Sequence, residues 1–352
     1  MSVITYKCPN CGGDLQFEPK GQNLKCEYCL SEFSEGELEK EQPAEYENTS
    51  SLESENMSIS EEEAVTYFCP SCGAEIITNE TTAASICFYC HNPIVLTGRL
   101  SGELRPDYVI PFSIDRKQAE DMFVSWIKHK LFLPRTFFST DAIEKISGVY
   151  LPYLLYSCKA KGSVSAECEN VRTWVRGDIQ YTETKRYQVD KKGSMNISKV
   201  MRNALRKSDK RLAEGVLPYN METIKPFTMN CLPGFMAEMK DMEGSEFEDE
   251  IKKEITDYAH SSLMEGMSSY AHVSVKESEM HLTDNIWEYA LFPVWLFTYQ
   301  NKSQNRMYYF ALNGQTGKIC GELPIDDKKL ALLFAGIFLS VFLLLLIIAY
   351  SI

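Results

Sequence analysis

The sequence predicts a multi-domain chain: two tandem small β modules, an α+β central domain with an antiparallel sheet, and a single C-terminal transmembrane helix. Eight of the twelve cysteines repeat one spacing twice, the hydrophobic periodicity alternates between strand-like and helix-like, and the end of the chain is uniformly apolar. The predicted bounds are 1–34 for the first module, 35–63 for an acidic disordered linker, 64–98 for the second module, 105–325 for the α+β domain and 329–351 for the membrane helix.

The apolar stretch at residues 330–350 contains no charged side chain and no proline. A helix of this length spans the hydrocarbon core of a bilayer, which is about 30 Å thick, because each residue adds about 1.5 Å. A buried core helix is the alternative, but such helices are usually shorter and keep polar positions. Lys328 and Lys329 precede the span and two residues follow it, which predicts a tail anchor in the cell membrane with the N-terminal body in the cytoplasm.

The repeated cysteine pattern has two residues within each pair and fourteen between the pairs, and its second copy lies 61 positions after the first. Four thiolates satisfy the tetrahedral geometry of Zn²⁺, and a two-residue gap lets one tight turn present two sulfurs to the metal. With no open coordination position, such sites are structural. The predicted ligands of the two Zn²⁺ ions are Cys8, Cys11, Cys26 and Cys29 in the first module and Cys69, Cys72, Cys87 and Cys90 in the second.

Other readings of the cysteines explain less of the pattern. His91 could replace its neighbouring cysteine as a ligand, but a surface histidine is the simpler account. Redox-active pairs do not explain four regular pairs as well as zinc does. The cysteines outside the pattern are predicted to be buried as small hydrophobic residues: Cys158, Cys168, Cys231 and Cys320.

Charge bears on what these zinc ribbons bind. The first balances three lysines with four acidic residues, and residues 67–97 hold no lysine or arginine. Phosphate binding depends on clustered cations, so protein contacts or a structural role are favoured over nucleic acid. The linker between the ribbons carries eleven glutamates and one lysine, which predicts a solvated segment with a short helix at 35–41.

The central domain alternates predicted strands and helices. Asp115 and Gln118 form a capping box at the start of one helix, and Ser245 and Glu248 form another. The second of these helices is predicted to bury Phe247, Ile251, Ile255, Tyr258 and Leu263. The other predicted elements are strands at 108–112, 148–158, 163–167, 171–176, 179–189 and 285–300, helices at 140–146 and 197–212, and a hairpin over 306–321.

The segment 169–211 is basic, with twelve Lys and Arg against five Asp and Glu. Three interpretations are open: a solvated face whose charges pair with residues 238–254, contact with anionic lipid or an acidic partner helix, and nucleic-acid binding. The turn at 313–317 lacks the spacing of a phosphate loop, and the sequence carries no nucleophile-elbow or dinucleotide motif. We therefore predict that the chain is not an enzyme.

Together the twin CPxCG ribbons, the acidic linker, the FPVW strand and the hairpin YYFALNGQTGKICGELP before a membrane span resemble bacterial (Firmicute) TFIIB-type zinc-ribbon membrane proteins. The resemblance covers essentially the whole chain. It implies a membrane-anchored adaptor of the envelope-stress type that recruits a coiled-coil partner like phage-shock protein A. The alternative is a membrane-tethered nucleic-acid-binding or replication protein, a label that some members carry. The family offers no catalytic residues.

Overall fold

A computed structural model describes residues 2–34, 37, 46–47, 65–69, 71–87, 90, 92–96, 99–130, 132–134, 146–301 and 306–351. Contacts divide the chain into two compact units. Unit 1 comprises Met1–Pro152, Leu205–Lys240 and Ala290–Ile352, and unit 2 comprises Tyr153–Ala204 and Asp241–Tyr289. The predicted fold class is confirmed: two four-cysteine modules, an α+β body and one C-terminal apolar helix. The predicted domain bounds stay a prediction.

Short strands dominate the N-terminal third of the chain. They are β1 (Ser2–Ile4), β2 (Leu15–Glu18), β3 (Asn23–Cys26), β4 (Glu32–Phe33), β5 (Tyr46–Glu47), β6 (Val65–Phe68), β7 (Glu75–Thr78), β8 (Thr82–Ile86), β9 (Pro93–Leu96) and β10 (Tyr108–Val109). The later strands are β11 (Ile146–Arg176), β12 (Ile179–Asn203), β13 (Lys225–Pro226), β14 (Met236–Glu238), β15 (His272–Asn301), β16 (Arg306–Asn313) and β17 (Ile319–Gly321). The helices are α1 (Arg116–Lys128), α2 (Lys210–Gly215), α3 (Glu248–Met264) and α4 (Asp327–Ser351).

Unit 1 is built on a mixed sheet. Its strand order is β13-β10-β15-β11-β14-β8-β9-β1-β5, and β16 pairs with both β15 and β17. The pairs β10–β15 and β11–β14 are parallel. The predicted hairpin at 306–321 is confirmed, since β16 and β17 pair antiparallel.

Helix α1 covers one face of this sheet and begins as the sequence predicts. The Asp115 carboxylate accepts a 2.8 Å hydrogen bond from the Gln118 amide, and the Gln118 side chain accepts one of 3.1 Å from the Asp115 amide. This reciprocal pair is a capping box. Phe123 and Ile127 are buried, and the Phe123 ring stacks on Phe297 with 4.3 Å between centroids.

Unit 2 contains a long antiparallel ribbon formed by β11 and β12, from the pair Tyr153–Asn203 to the pair Arg176–Ile179. The predicted meander over 163–189 is therefore wrong: β11 runs unbroken through its first two segments. Alternation of buried and exposed residues continues through Val164, Ala166 and Cys168, and each residue finds a partner across the ribbon. The ribbon turns at Gly177, whose φ of 63° suits a two-residue hairpin turn.

The basic helix predicted at 197–212 is wrong as well. Residues up to Asn203 belong to β12, and helix α2 covers only Lys210–Gly215. Pairing with β11 outweighs helix propensity here, because Met201 lies opposite the buried Leu155. A bulge accommodates Lys199, which has a φ of 57° and donates its amide hydrogen to the Ser157 hydroxyl at 3.0 Å.

Helix α3 exists but starts differently from the prediction. A 3₁₀ turn at Gly244–Glu246 precedes it, and the capping box joins Glu243 and Glu246 rather than Ser245 and Glu248. Ile251 and Ile255 are buried as predicted, whereas Tyr258 is 65% exposed although it follows Ile251 by seven residues on the same face of the helix. In the predicted helix at 140–146, Ile146 begins β11, and the rest lies outside the described residues.

The acidic linker, the short helix at 35–41 and His91 fall almost wholly outside the described residues. Within the linker, Tyr46 and Glu47 form β5, which pairs with β1. Cys158, Cys168 and Cys231 are buried as predicted, and Cys320 is half-buried.

Candidate metal centres and membrane helix

The structure brings the four cysteines of each module together. In the first, the Sγ atoms of Cys8 and Cys29 are 3.5 Å apart, as are those of Cys11 and Cys26. All four sulfurs lie within 4.8 Å of one another. A tetrahedral metal with bonds of about 2.3 Å to sulfur requires sulfurs about 3.8 Å apart, whereas a disulfide requires about 2.05 Å. The spacing therefore fits a metal site and not a pair of disulfides.

The second module repeats this geometry. The Cys69 and Cys90 sulfurs are 3.6 Å apart, the Cys72 and Cys87 sulfurs are 3.8 Å apart, and the four lie within 4.8 Å. Each cluster could hold one metal ion. In both clusters the first and third cysteines are buried, and the second is exposed.

Tight backbone turns position the sulfurs. The amide of Gly12 donates to the carbonyl of Cys8 at 2.8 Å, and the amide of Gly73 donates to that of Cys69 at 2.8 Å. Both glycines have a φ of 73°, a left-handed conformation that L residues adopt at a cost. In the second turn of the first ribbon this position is taken by Leu30, with a φ of 61°.

The crowded thiols influence one another. Hydrogen bonds with the hydroxyl and the amide of Ser31 lower the pKa of Cys29 to about 6. At Cys11 the Gly13 amide acts to lower the pKa, but the thiols of Cys29 and Cys26 outweigh it and raise that pKa to about 12. One thiolate therefore makes the next harder to form. A central cation removes this conflict, because it stabilises all four negative charges.

Each four-cysteine module is fixed to the sheet of unit 1. In the first, the Gln22 side chain donates to the Phe112 carbonyl at 2.7 Å, and the Phe17 amide donates to the Pro233 carbonyl at 2.9 Å. In the second, β8 pairs antiparallel with β14. The Thr81 hydroxyl also donates to the Glu238 carboxylate at 2.6 Å.

The two four-cysteine modules also contact each other. Strand β1, which precedes the first cluster, pairs with β9 of the second ribbon, with Val3 opposite Leu96. The Lys7 ammonium donates to the Ser71 hydroxyl at 3.3 Å. Folding of the two modules is therefore coupled to each other and to the sheet.

Helix α4 presents apolar side chains to its surroundings. Within its segment Lys328–Tyr350, an 18-residue stretch has a mean hydropathy of 3.1, and none of that stretch is buried within the chain. It is long and apolar enough to span a membrane. The Asp326 carboxylate caps it by accepting hydrogen bonds from the amides of Lys328 and Lys329, at 3.0 and 3.3 Å. The Lys329 ammonium donates to the Leu133 carbonyl at 2.6 Å, which ties the start of the helix to unit 1.

Unit 1 also contains a half-open cavity of about 880 Å³. Its floor is a face of the sheet carrying Val149, Leu151 and Leu296, and Leu212 of α2 lines it too. Lys207 lies at its rim and pairs with Glu238 at 3.0 Å. The volume and lining are typical of a groove that binds a drug-sized molecule or an apolar side-chain row.

Many charges of the basic segment are paired. Arg202 contacts Glu254, Lys207 pairs with Glu238, and Arg211 pairs with Glu322. The first two pairs join the segment to residues 238–254, as the solvated-face interpretation predicts. The lysines of the first ribbon are paired as well, including Lys7 with Asp14 at 2.5 Å.

Comparison with known proteins finds one extensive likeness. The chain is 34% identical over 337 residues to an uncharacterised protein of Bacillus subtilis (strain 168) named YdjG. The match covers 95% of this chain and 94% of the relative. The chain belongs to the YdjG family. Because almost all of both chains aligns, the relationship to YdjG extends over the body and is not confined to the ribbons. No family model matches the chain, and no solved structure matches it.

Sequence reasoning missed the attachment of the ribbons and the cavity. The bond between Thr81 and Glu238 joins residues 157 positions apart, and that between Gln22 and Phe112 joins residues 90 apart. Neither hydrogen bond leaves a pattern in the sequence around its residues, because the two partners are far apart along the chain. The nearly continuous apolar run at 148–158 indicates a buried strand, but it does not reveal that one face of the strand lines an open groove.

Proposed function

We propose that this chain is a non-enzymatic adaptor, held in the cell membrane by α4 and stabilised by two structural Zn²⁺ ions. The observation that carries the proposal is the exposed apolar stretch at residues 330–350 of α4, which is long and apolar enough to span a bilayer. Lys328 and Lys329 at its N-terminal end favour a cytoplasmic body by the positive-inside rule. A reducing cytoplasm also keeps cysteine thiols free to bind metal.

Zinc is the metal that this ligand set favours. Four cysteine sulfurs in a tetrahedral arrangement are typical of structural Zn²⁺, and no coordination position stays open for a substrate. The two four-cysteine modules, attached to the sheet of unit 1, would then stabilise the fold and take no part in catalysis. This supports a binding role over a catalytic one.

The partner that we propose is a coiled-coil protein like phage-shock protein A, as the family resemblance implies. An amphipathic helix of such a partner would place its apolar face in the cavity of unit 1, where Leu151 and Leu296 form an apolar floor. Charged residues at the cavity rim, including Arg116 and Lys207, would meet the polar flanks of that helix.

A pull-down of the full chain from detergent-solubilised membranes tests this proposal. We expect a phage-shock-type coiled-coil protein to be retained by the natural chain and reduced by Leu296→Gln, which makes the groove polar. Tyr258→Gln, at an exposed position on α3, is the matched control and should retain the partner. Retention of no specific protein by the natural chain would reject the adaptor proposal.

Nucleic-acid binding is the alternative function, and the paired lysines of the first ribbon weigh against it. If it holds, the full chain in detergent should bind DNA with an affinity that falls steeply as salt rises. An absence of DNA binding at low salt would eliminate it.

A further inference from the structure

The far end of the unit 2 ribbon contacts the rest of that unit at its base, where the ring centroids of Tyr187 and Tyr270 are 5.6 Å apart. We call residues 170–188 the ribbon tip, and each of them is exposed. Strand β15 begins only at His272, and the preceding Ala271 amide donates to the Asn170 side chain at 3.3 Å. Beyond Asn170, within the part of unit 2 that the structure describes, the ribbon consists of the paired ends of β11 and β12.

The ribbon tip is more apolar than an exposed hairpin needs to be. Trp174 lies opposite Tyr181, and their rings stack with centroids 5.7 Å apart. Such a cross-strand pair stabilises a hairpin, which accounts for these two residues. It does not account for Val175 and Ile179, which flank the turn and are 68% and 59% exposed. Exposure of their apolar side chains to water is unfavourable, and burial of that surface would be favourable.

Two cations lie beside these apolar residues. The Arg172 guanidinium is 6.0 Å from the centre of the Trp174 ring, and Arg176 lies opposite Ile179. Glu183 lies opposite Arg172 across the ribbon and Asp178 lies in the turn, but among the described residues neither arginine forms an ion pair within 4.0 Å. Arg186, nearer the body of the ribbon, pairs with Glu169 at 2.8 Å. In a chain of net charge −13, unpaired arginines at an apolar tip indicate an anionic surface as the complement.

We propose that the ribbon tip inserts into the interfacial region of an anionic bilayer. Tryptophan and tyrosine favour the boundary between headgroups and acyl chains, and arginine beside them pairs with anionic lipid headgroups. Val175 and Ile179 would enter the apolar layer on either side of the turn. A bilayer is the partner at hand because α4 holds the chain at one, so this inference rests on the proposed anchor. The chain then has two contacts with the membrane, one spanning and one interfacial.

Quenching of tryptophan fluorescence by brominated lipid tests this contact. The full chain is reconstituted into vesicles of brominated phosphatidylcholine, with or without phosphatidylglycerol, and the signal of Trp174 is obtained by subtracting that of Trp174→Phe. We expect this signal to be quenched in anionic vesicles and the quenching to be lost in the double variant Arg172→Glu, Arg176→Glu. Lys161→Glu, at an exposed position on the body of the same ribbon, should leave the quenching unchanged.

Vesicle flotation separates failure of this inference from failure of the anchor. A chain that floats with the vesicles but shows no quenching at Trp174 has its anchor and lacks the tip contact, which would overturn the inference. Quenching of equal strength in neutral vesicles would also overturn it, since the arginines would then play no part. Disulfide trapping of Val175→Cys between two copies, without quenching, would assign the tip to self-association instead.

Discussion

Single residues decide whether the thiolate clusters can form. The spacing of the eight cysteines was enough to predict which four sulfurs converge, because a pair separated by two residues fits one turn. The backbone demand at Gly12 and Gly73 could also be inferred from their place after the second cysteine. The positive φ of Leu30 could not, since leucine gives no sign of a left-handed conformation.

Substitution of Gly12 by alanine should destabilise the first cluster through backbone strain alone. An added Cβ at Gly12 meets no atom within 4 Å, so the cost arises from its φ of 73° and should be about 1 kcal/mol. Gly12→Asn is the matched control and should lose less, because asparagine tolerates this conformation better. Thermal unfolding of the zinc-loaded chain measures both, and equal stability of the two variants would contradict the strain argument.

The cap of α1 should give a small, acid-sensitive contribution to stability. Burial acts to raise the pKa of Asp115, but hydrogen bonds from Lys20 and the Gln118 amide outweigh it and hold that pKa below its ordinary value. Stability from this carboxylate is therefore present above its unfolded pKa of about 3.9 and is lost as the pH falls through the folded pKa.

Asp115→Ala should cost about 1 kcal/mol at neutral pH, because it removes the cap. Asp115→Asn keeps a capping side chain and should cost less at neutral pH, and its stability should fall less on acidification. Urea unfolding at pH 7 and at pH 3.5 measures this difference. An alanine variant as stable as the natural chain at pH 7 would show that the cap contributes nothing.

Elements formed by local contacts could be predicted from the sequence, whereas elements that depend on distant strand partners could not. The capping box and the hairpin of β16 and β17 are local, and both could be predicted. The strand at 197–203 and the docking of β8 on β14 depend on partners far along the chain, such as Tyr153 and Ala237, which no local pattern specifies. The predicted helix at 197–212 is wrong for this reason, since its propensity was weaker than the pairing with β11.

Loss of the second cysteine cluster should loosen the sheet of unit 1 where β8 pairs with β14. The Met239 amide donates to the Thr81 carbonyl at 2.8 Å, next to the β8–β14 pair. Thr81 belongs to the second four-cysteine module, which Cys87 helps to form. We expect Cys87→Ser to speed hydrogen exchange at Met239. Cys320→Ser, at a half-buried cysteine outside both clusters, is the control and should leave that amide protected. Unchanged exchange in the Cys87 variant would mean that the ribbon and the sheet fold independently.

As a whole, the chain combines an apolar helix long enough to span a membrane with a body in which both four-cysteine clusters are joined to the sheet of unit 1. This candidate membrane span could be predicted from length and composition alone, because recognising it requires no tertiary contact. The attachment of its start to Leu133 could not. The cavity likewise depends on how distant segments assemble.

Two charges in the middle of α4 should release the chain from the membrane. Leu339 lies near the centre of the segment Lys328–Tyr350, where arginine costs about 3 kcal/mol on insertion scales. We expect the double variant Leu339→Arg, Leu343→Arg to move a large share of the chain into the alkaline-soluble fraction, and Leu339→Ala, Leu343→Ala to stay in the membrane pellet. Equal retention of both variants would argue that α4 does not span the bilayer.

Native mass spectrometry of the full chain, released from lipid nanodiscs, measures whether the membrane-held body contains the two zinc ions that we propose stabilise it. We expect a dominant species with two zinc ions per chain. One ion should be lost with the substitutions Cys8→Ser and Cys11→Ser, and the other with Cys69→Ser and Cys72→Ser. A natural chain that leaves the nanodisc folded and without zinc would contradict this expectation.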